Sequence, residues 1–175
     1  EDINIKNVSY RYLGNDLPVL ENLNLTIPAK KVTAIVGVSG SGKTTLMNLM
    51  KLLAQPENKF AIKPCRDISF EFIQDGHQII HKYSIGQLYH SEPRTYCFDD
   101  LGTENNLKYF GNECNVIAEI LLNRYDLFIS KKLKTHITTN LSATEIEKHY
   151  GNRVRSRLRE MVNLIAFEKS TQDKR

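Results

Sequence analysis

The sequence predicts an α/β fold, a mostly parallel sheet with helices on both faces and an antiparallel strand extension at the N-terminus. Three observations predict it. A continuous apolar run, Val32-Thr33-Ala34-Ile35-Val36, stops at glycines and leads into an amphipathic helical pattern, as a strand buried on both faces does. From there on, short apolar runs and longer helical patterns alternate, as expected when crossover helices connect parallel strands. Ahead of it, residues 3–12 alternate apolar and polar, the pattern of a half-buried strand. At 175 residues the chain is long enough for one hydrophobic core and too short for two comfortable ones, so residues 1–175 read as a single domain.

The elements follow in order. Ile3 to Tyr12 form the first strand, Gly14-Asn15-Asp16 a turn, and Val19 to Ile27 further short extended pieces that end at Pro28. After the buried strand, Leu46, Leu49, Met50 and Leu53 mark one helix face, closed by Gln55-Pro56. Phe60-Ala61-Ile62 is a short strand. The segment from Arg66 to Gln74 admits two readings. Ile68, Phe70 and Phe72 alternate with Ser69 and Glu71 as in a strand, yet the whole stretch equally suits a buried helix. Thr95 to Phe98 reads as a buried strand that ends in the carboxylates Asp99-Asp100 and then Gly102. Val116 to Ile129 is a long helix with Ile117, Ile120, Leu121 and Phe128 close to one face. His136 to Thr139 is another strand. Ser142-Ala143-Thr144-Glu145 is a capping box, in which serine and glutamate satisfy each other's first-turn amides. Gly151 suits the end of that helix, Asn152 starts another that buries Val154, Leu158 and Met161, and Val162 to Phe167 is the last strand.

Composition excludes several classes. With 41% hydrophobic and 25% charged residues, disordered, collagen-like and fibrous readings are set aside. No apolar run is long enough to span a membrane, and no basic-then-apolar segment suggests a signal peptide. Cys65, Cys97 and Cys114 are an odd number at wide spacing, which points to a reducing, cytoplasmic setting rather than a disulfide scaffold. A chain that opens on Glu1-Asp2 without a Met reads as trimmed or tagged. The formal charge of +4 is uneven: residues 120–175 hold 12 Lys+Arg against 6 Asp+Glu, and the rest 12 against 14. The basic surface belongs to the C-terminal third.

The strongest chemical signal is Gly37-Val38-Ser39-Gly40-Ser41-Gly42-Lys43-Thr44, which matches G-x-x-x-x-G-K-[ST] between a strand and a helix. In that frame the glycines let successive amides curl around a phosphate, and the helix N-terminus adds its partial positive charge. Gly37, Ser39, Gly40, Ser41, Gly42, Lys43, Thr44 and Thr45 are therefore the candidate phosphate-contacting residues. Lys43 would reach the β- and γ-phosphates, and the Thr44 hydroxyl would sit on Mg²⁺. The alternative is a glycine-rich turn with a chance Lys-Thr. A second carboxylate element has to hold the metal and activate water. Asp99 would hold Mg²⁺ through water, and Asp100 would orient or deprotonate the attacking water, with Glu104 as a fallback base. The alternative for Asp99-Asp100 is an acidic turn capping a strand.

These residues resemble two families of P-loop NTPases. Asn7-Val8-Ser9-Tyr10-Arg11-Tyr12, Pro18-Val19-Leu20-Glu21-Asn22-Leu23 and Ile35 through Thr45 are similar to the start of an exporter-type ABC-transporter nucleotide-binding domain. That resemblance implies that Tyr12 stacks on adenine. The Leu-Ser-Gly-Gly-Gln signature that closes an ABC dimer over its nucleotide is absent from the sequence, so a transporter partner is not implied. From about residue 65 to 175 the chain instead resembles DnaC/IstB-type AAA+ helicase loaders. The matching text is Cys65-Arg66-Asp67-Ile68, Asp99 to Glu104, Thr138-Thr139-Asn140-Leu141 and Gly151 to Leu158. This second resemblance implies that Asn140 reads the γ-phosphate, that Arg157 reaches a neighbouring subunit's nucleotide, and that Arg175 is a late sensor arginine. It also implies a helix over 66–74. The mixed text reads as an engineered hybrid of two P-loop proteins, ABC-like over about 1–46 and loader-like over about 65–175, with the join between.

Secondary signals are weaker. Arg153 with Arg157, and Arg155 with Arg159, form adjacent helical rows; with Lys131, Lys132 and Lys134 they would make weak contact with a nucleic-acid backbone or simply a solvated basic face. His77 and His81 could share a helix face, but without the flanking glutamate of a zinc motif they read as surface or packing residues. The expected function is Mg²⁺-dependent ATP binding with weak or no hydrolysis. The alternatives are a folded recombination scaffold without activity and a helicase-loader-like ATPase that binds nucleic acid. Self-association stays open.

Overall fold

The structure, a computed structural model, describes residues 2–28, 32–53, 60–85, 94–104, 107–109 and 112–167. Gln55-Pro56 and Arg175 lie outside them. In chain order the elements are β1 (Ile3–Tyr10), β2 (Leu20–Ile27), β3 (Val32–Val36), α1 (Lys43–Leu53), β4 (Ala61–Pro64), α2 (Cys65–Asp75) and α3 (Gln78–Ile85). They continue with β5 (Tyr96–Leu101), β6 (Leu107–Tyr109), β7 (Asn112–Cys114), α4 (Val116–Lys131), β8 (Thr135–Thr139), α5 (Ala143–Met161) and β9 (Val162–Ala166).

Five strands pair in parallel in the order β4-β5-β8-β3-β9. The pleat sends alternate residues of each strand to opposite faces, and the core divides accordingly. On one side Ile35 and Cys97 pack with Leu46, Met47 and Met50 of α1 and with Ile5 and Ile27 of the β1–β2 pair. On the other, Ala34, Phe98 and Ile137 pack with α2, α3, α4 and α5 through Ile68, Phe72, Ile79, Ile120, Leu121, Val154 and Leu158. Helices therefore cover both faces, and β1 and β2 form a separate antiparallel pair with Ile3 opposite Ile27 and Tyr10 opposite Leu20. This is the α/β architecture expected from the sequence.

Local physics accounts for the elements. Residues 65–75 are helical: Cys65, Ile68, Ser69 and Phe72 are buried at helical spacing, while Phe70 is 54% exposed. The period-2 alternation of Ile68, Phe70 and Phe72 is thus incidental to the burial pattern. The Asn115 side chain caps α4 through Ala118 N–H at 2.9 Å, and Ser142 and Glu145 form the full capping box of α5. Gly151, at φ +82°, breaks α5 into two helical runs as expected. His77 lies in the turn before α3, so it does not share a helix with His81, contrary to the spacing argument. The short antiparallel pair β6–β7, three residues to a strand, carries no clear sequence signal. Among the described residues, no helix is long and apolar enough to cross a membrane.

Arg124 on α4 is fully buried and organises the end of the sheet where the parallel strands begin. Its guanidinium donates to Thr135 Oγ1 at 2.6 Å, to the carbonyls of Tyr83 and Ser84 at 3.0 Å, and to those of Arg94 and Lys134 at 2.9 Å. Burial lowers its pKa to about 10, so it stays charged at neutral pH. The ring faces of Tyr96 and Phe98 lie beside it, 5.2 and 5.8 Å from their centroids.

Candidate functional site

The loop 37–42 runs from the C-terminal end of β3 into α1. Gly42 sits at φ +93°, and a Cβ there would lie 3.1 Å from Leu20 Cδ2 and 3.2 Å from the Val19 carbonyl. The start of β2 is therefore pressed against the loop, and glycine is what allows both the turn and the approach. Gly37 N–H donates to the Thr139 carbonyl at 3.2 Å, which fastens the loop to β8. The Lys43 side chain is buried and curls over the loop, its ammonium donating to the carbonyls of Gly37 and Val38 at 2.9 Å each. The Ser41 hydroxyl is buried with no hydrogen-bond partner among the described residues. Ser39 is exposed, Gly40 has φ +77°, and Thr45 faces the N-terminal segment.

β8 lies between β3 and β5, so Asp99 at the end of β5 reaches the start of α1 across an intervening strand. Thr44 Oγ1, at the start of α1, donates to Asp99 at 3.1 Å from both carboxylate oxygens. Asp99 is buried, and burial is the main cause that raises its pKa; the neighbouring Asp100 charge adds to this, while hydrogen bonds from Thr138 and Thr44 oppose it. A hydroxyl and a carboxylate converging at the mouth of a phosphate loop are hard oxygen donors of the kind Mg²⁺ takes, so these residues fit that ion. Asp100 is exposed, with its backbone in the left-handed region at φ +52°.

Thr138, to which no motif in the sequence gives a role of its own, joins the site from β8. Its hydroxyl donates to Asp99 Oδ1 at 2.5 Å and accepts from Asp100 N–H at 2.8 Å. Its position on a predicted strand beside the carboxylate strand was the available signal. Glu104, the fallback base, is held elsewhere. One carboxylate oxygen accepts from Gly102 N–H at 2.9 Å and the other from the Tyr150 hydroxyl of α5. Burial and the Glu104 charge push the Tyr150 phenol well above its ordinary value.

The remaining candidates divide between the two ends of the sheet. The Tyr12 hydroxyl lies 3.1 Å from Thr45 Oγ1, its ring meets Tyr10 edge-on at 5.0 Å, and 44% of the residue is exposed beside α1. Asn140 is exposed directly after β8, whose Thr139 pairs with Val36 and Leu101, at the loop end of the sheet. Arg157 is not brought to the loop. Its guanidinium lies over the Tyr125 ring at 4.3 Å and donates to the Tyr125 hydroxyl at 2.9 Å. Tyr125 in turn packs on Val32 at the start of β3, the opposite end of the strand from the loop. Arg155 pairs with Glu147 at 2.9 Å, whereas Arg153 and Arg159 are exposed.

Comparison with known proteins gives two kinds of likeness. The profile of the ABC transporter family matches residues 20–156. The ATP-dependent lipid A-core flippase of Escherichia coli K12 is 32% identical over 116 residues, covering 64% of this chain and 18% of the flippase, so the chain spans only a small part of that relative. Among solved structures, the DnaC helicase loader superposes with a TM-score of 0.57 at 21% identity, covering 79% of each chain. DnaI gives 0.57 at 20% identity, covering 81% of this chain and 72% of its own. At such identities these two show a shared fold. The profile match runs through most of the chain, from before the phosphate loop to beyond Asn140, and makes the protein a member of the ABC transporter family, built on a P-loop NTPase fold that it shares with the helicase loaders.

Proposed function

We propose that this chain is an ATP-binding P-loop domain over residues 1–175 that takes its nucleotide with Mg²⁺ and hydrolyses it weakly or not at all. The observation that carries this reading is the convergence of the Lys43 ammonium, the glycine-rich loop and the Thr44–Asp99 pair at one end of the sheet. The loop amides and Lys43 would take the phosphates. Thr44 and Asp99 would hold Mg²⁺, which when bound offsets phosphate charge, and the exposed Tyr12 ring would support adenine. Asn140 would face the γ-phosphate. Asp100, exposed beside Asp99, would orient the water, while Glu104 is occupied by Tyr150 and Gly102. Weak hydrolysis follows because both resembled families complete their sites with a second subunit, and Arg157 is engaged within its own chain. Binding needs one loop, whereas catalysis needs parts aligned from distant segments. The ABC-like text over about 1–46 beside the loader-like text over about 65–175 is the ground for proposing a mixed ancestry, within a chain whose ABC transporter profile match continues to residue 156.

Titration of Mg-ATP against the protein and a Lys43→Ala variant tests the reading. Loss of a charge-assisted contact is expected to weaken binding by about 10- to 100-fold. Equally poor binding by both proteins would leave a folded scaffold without nucleotide activity. A second reading, weak nucleic-acid contact, is favoured by the exposed Arg153, Arg159, Lys131 and Lys132 in the basic C-terminal third. It requires affinity for DNA that falls steeply as salt rises; a flat response rejects it.

A further inference from the structure

We propose that Thr138 is a positioning residue for the metal site, its hydroxyl orienting Asp99 toward a Mg²⁺ shared with Thr44 and fixing Asp100 relative to it. This inference rests on the Mg-ATP reading above and deepens it.

The geometry begins with a break in the sheet. β5 and β8 pair regularly from Tyr96–Thr135 to Phe98–Ile137, and then the register shifts, so that Leu101 pairs with Thr139. Asp100 falls in this shift with φ +52°, and its N–H is taken up by a side chain, the Thr138 hydroxyl, at 2.8 Å. A threonine hydroxyl has a single proton to donate. The bond received from Asp100 N–H therefore leaves that proton directed to Asp99 Oδ1, 2.5 Å away. Direction is conferred by this pairing, since the donor and the acceptor are in place at once.

Thr138 is fully buried, and a β-branched side chain has few χ1 rotamers to choose from. Its hydroxyl cannot easily swing away. Asp99 is thus gripped from two sides, by Thr138 on β8 and by Thr44 at the start of α1. The same hydroxyl holds the backbone of Asp100 against the Asp99 carboxylate it orients. Groups that hydrogen-bond a metal-binding carboxylate from behind tune the metal affinity without touching the ion.

The neighbouring Thr139 provides the comparison. It is equally buried, donating to the Leu101 carbonyl at 2.7 Å and accepting from Leu141 N–H at 3.0 Å, with neither bond to a carboxylate. A purely structural buried threonine on this strand should behave as Thr139 does.

The test is isothermal titration of the full chain with ATP at a series of free Mg²⁺ concentrations and in EDTA. Thr138→Val and Thr138→Ala are expected to raise the Mg²⁺ needed for half-maximal tightening by about tenfold or more, with ATP affinity in EDTA changed by no more than about twofold. Thr138→Ser is expected to restore the wild-type Mg²⁺ midpoint, and Thr139→Val to keep it while lowering stability. If Thr138→Val is too unstable to titrate, the Ala and Ser variants carry the comparison. The role is overturned if the Val and Ala variants keep the wild-type midpoint, if ATP binding weakens equally with and without Mg²⁺, or if Thr138→Ser fails to restore it. A wild-type affinity indifferent to Mg²⁺ overturns the metal reading and this role with it. ATP binding unaffected by Lys43→Ala is the separate failure of the nucleotide reading.

Discussion

The hydroxyl of Tyr12 lies 3.1 Å from the hydroxyl of Thr45. This contact joins the segment between β1 and β2 to the first turn of α1, two residues beyond Lys43. The aromatic ring is thereby held at the edge of the phosphate loop with much of its surface open.

If adenine stacks on that ring, Tyr12→Ala should weaken ATP binding by about 1–3 kcal/mol, the usual worth of a base on an aromatic side chain. Tyr12→Phe keeps the ring and loses only the Thr45 contact, so its loss should be smaller. Titrating both variants with Mg-ATP checks this, and an Ala variant as tight as wild type places the base elsewhere.

His136, buried on β8, should make the fold acid-sensitive over a defined window. Its Nδ1 accepts from Thr33 N–H at 3.2 Å, and burial, helped by the Lys134 and Arg124 charges, lowers its pKa from 6.5 to about 4. The unfolded chain therefore binds the proton first, and stability present above pH 6.5 is lost as pH falls toward 4. The loss is expected to be about 3 kcal/mol. Urea unfolding between pH 7 and pH 4.5 measures it, and His136→Asn, which can still accept from Thr33, should flatten that slope. Glu71 separates cleanly from this window. Burial opposes its charge, but hydrogen bonds from Lys63, Lys82 and Tyr83 prevail and hold its pKa at about 2, so its contribution fades only at lower pH.

Arg124→Leu should cost about 3–5 kcal/mol, because four carbonyls and the Thr135 hydroxyl lose a donor they cannot replace with water. Arg124→Lys should recover only part of this, since an ammonium cannot span the same fork. Chemical denaturation of both variants decides; an Arg124→Leu protein as stable as wild type would show that the network contributes nothing.

Gly102→Ala should damage the carboxylate end of β5. Gly102 has φ +102°, and a Cβ would lie 2.5 Å from Leu141 Cδ1. Relieving that overlap must move either Leu141 or the chain just after Asp99 and Asp100. A stability loss of about 1–3 kcal/mol is expected, together with weaker Mg²⁺-dependent ATP binding. Thermal unfolding and titration of the variant measure the two effects.

What could be read in advance was local. The phosphate loop, the apolar strand ahead of it, the Ser142–Glu145 capping box and the Gly151 break each depend on a few consecutive residues, and each took the expected backbone form. The helix over 65–75 needed more. Its alternating apolar residues matched a strand as well as a helix, the loader resemblance implied the helix, and the packing of Cys65, Ile68, Ser69 and Phe72 bears the helix out. The β6–β7 pair has three-residue strands, too short to produce a periodic signal.

The amino-acid sequence by itself determined the α/β class, the glycine-rich loop between strand and helix and the acidic end of the strand that carries Asp99, because periodicity, glycine spacing and capping act between near neighbours. Tertiary structure alone decided which distant groups meet. It inserted β8 between β3 and β5, and so delivered the Thr138 hydroxyl to Asp99 from 39 positions away. It buried Arg124 among carbonyls from three separate segments, and it turned Arg157 onto Tyr125. The reason is physical. A threonine or arginine carries the same hydrogen-bonding capacity wherever it stands in a sequence, and only the packed sheet supplies the partners that direct it.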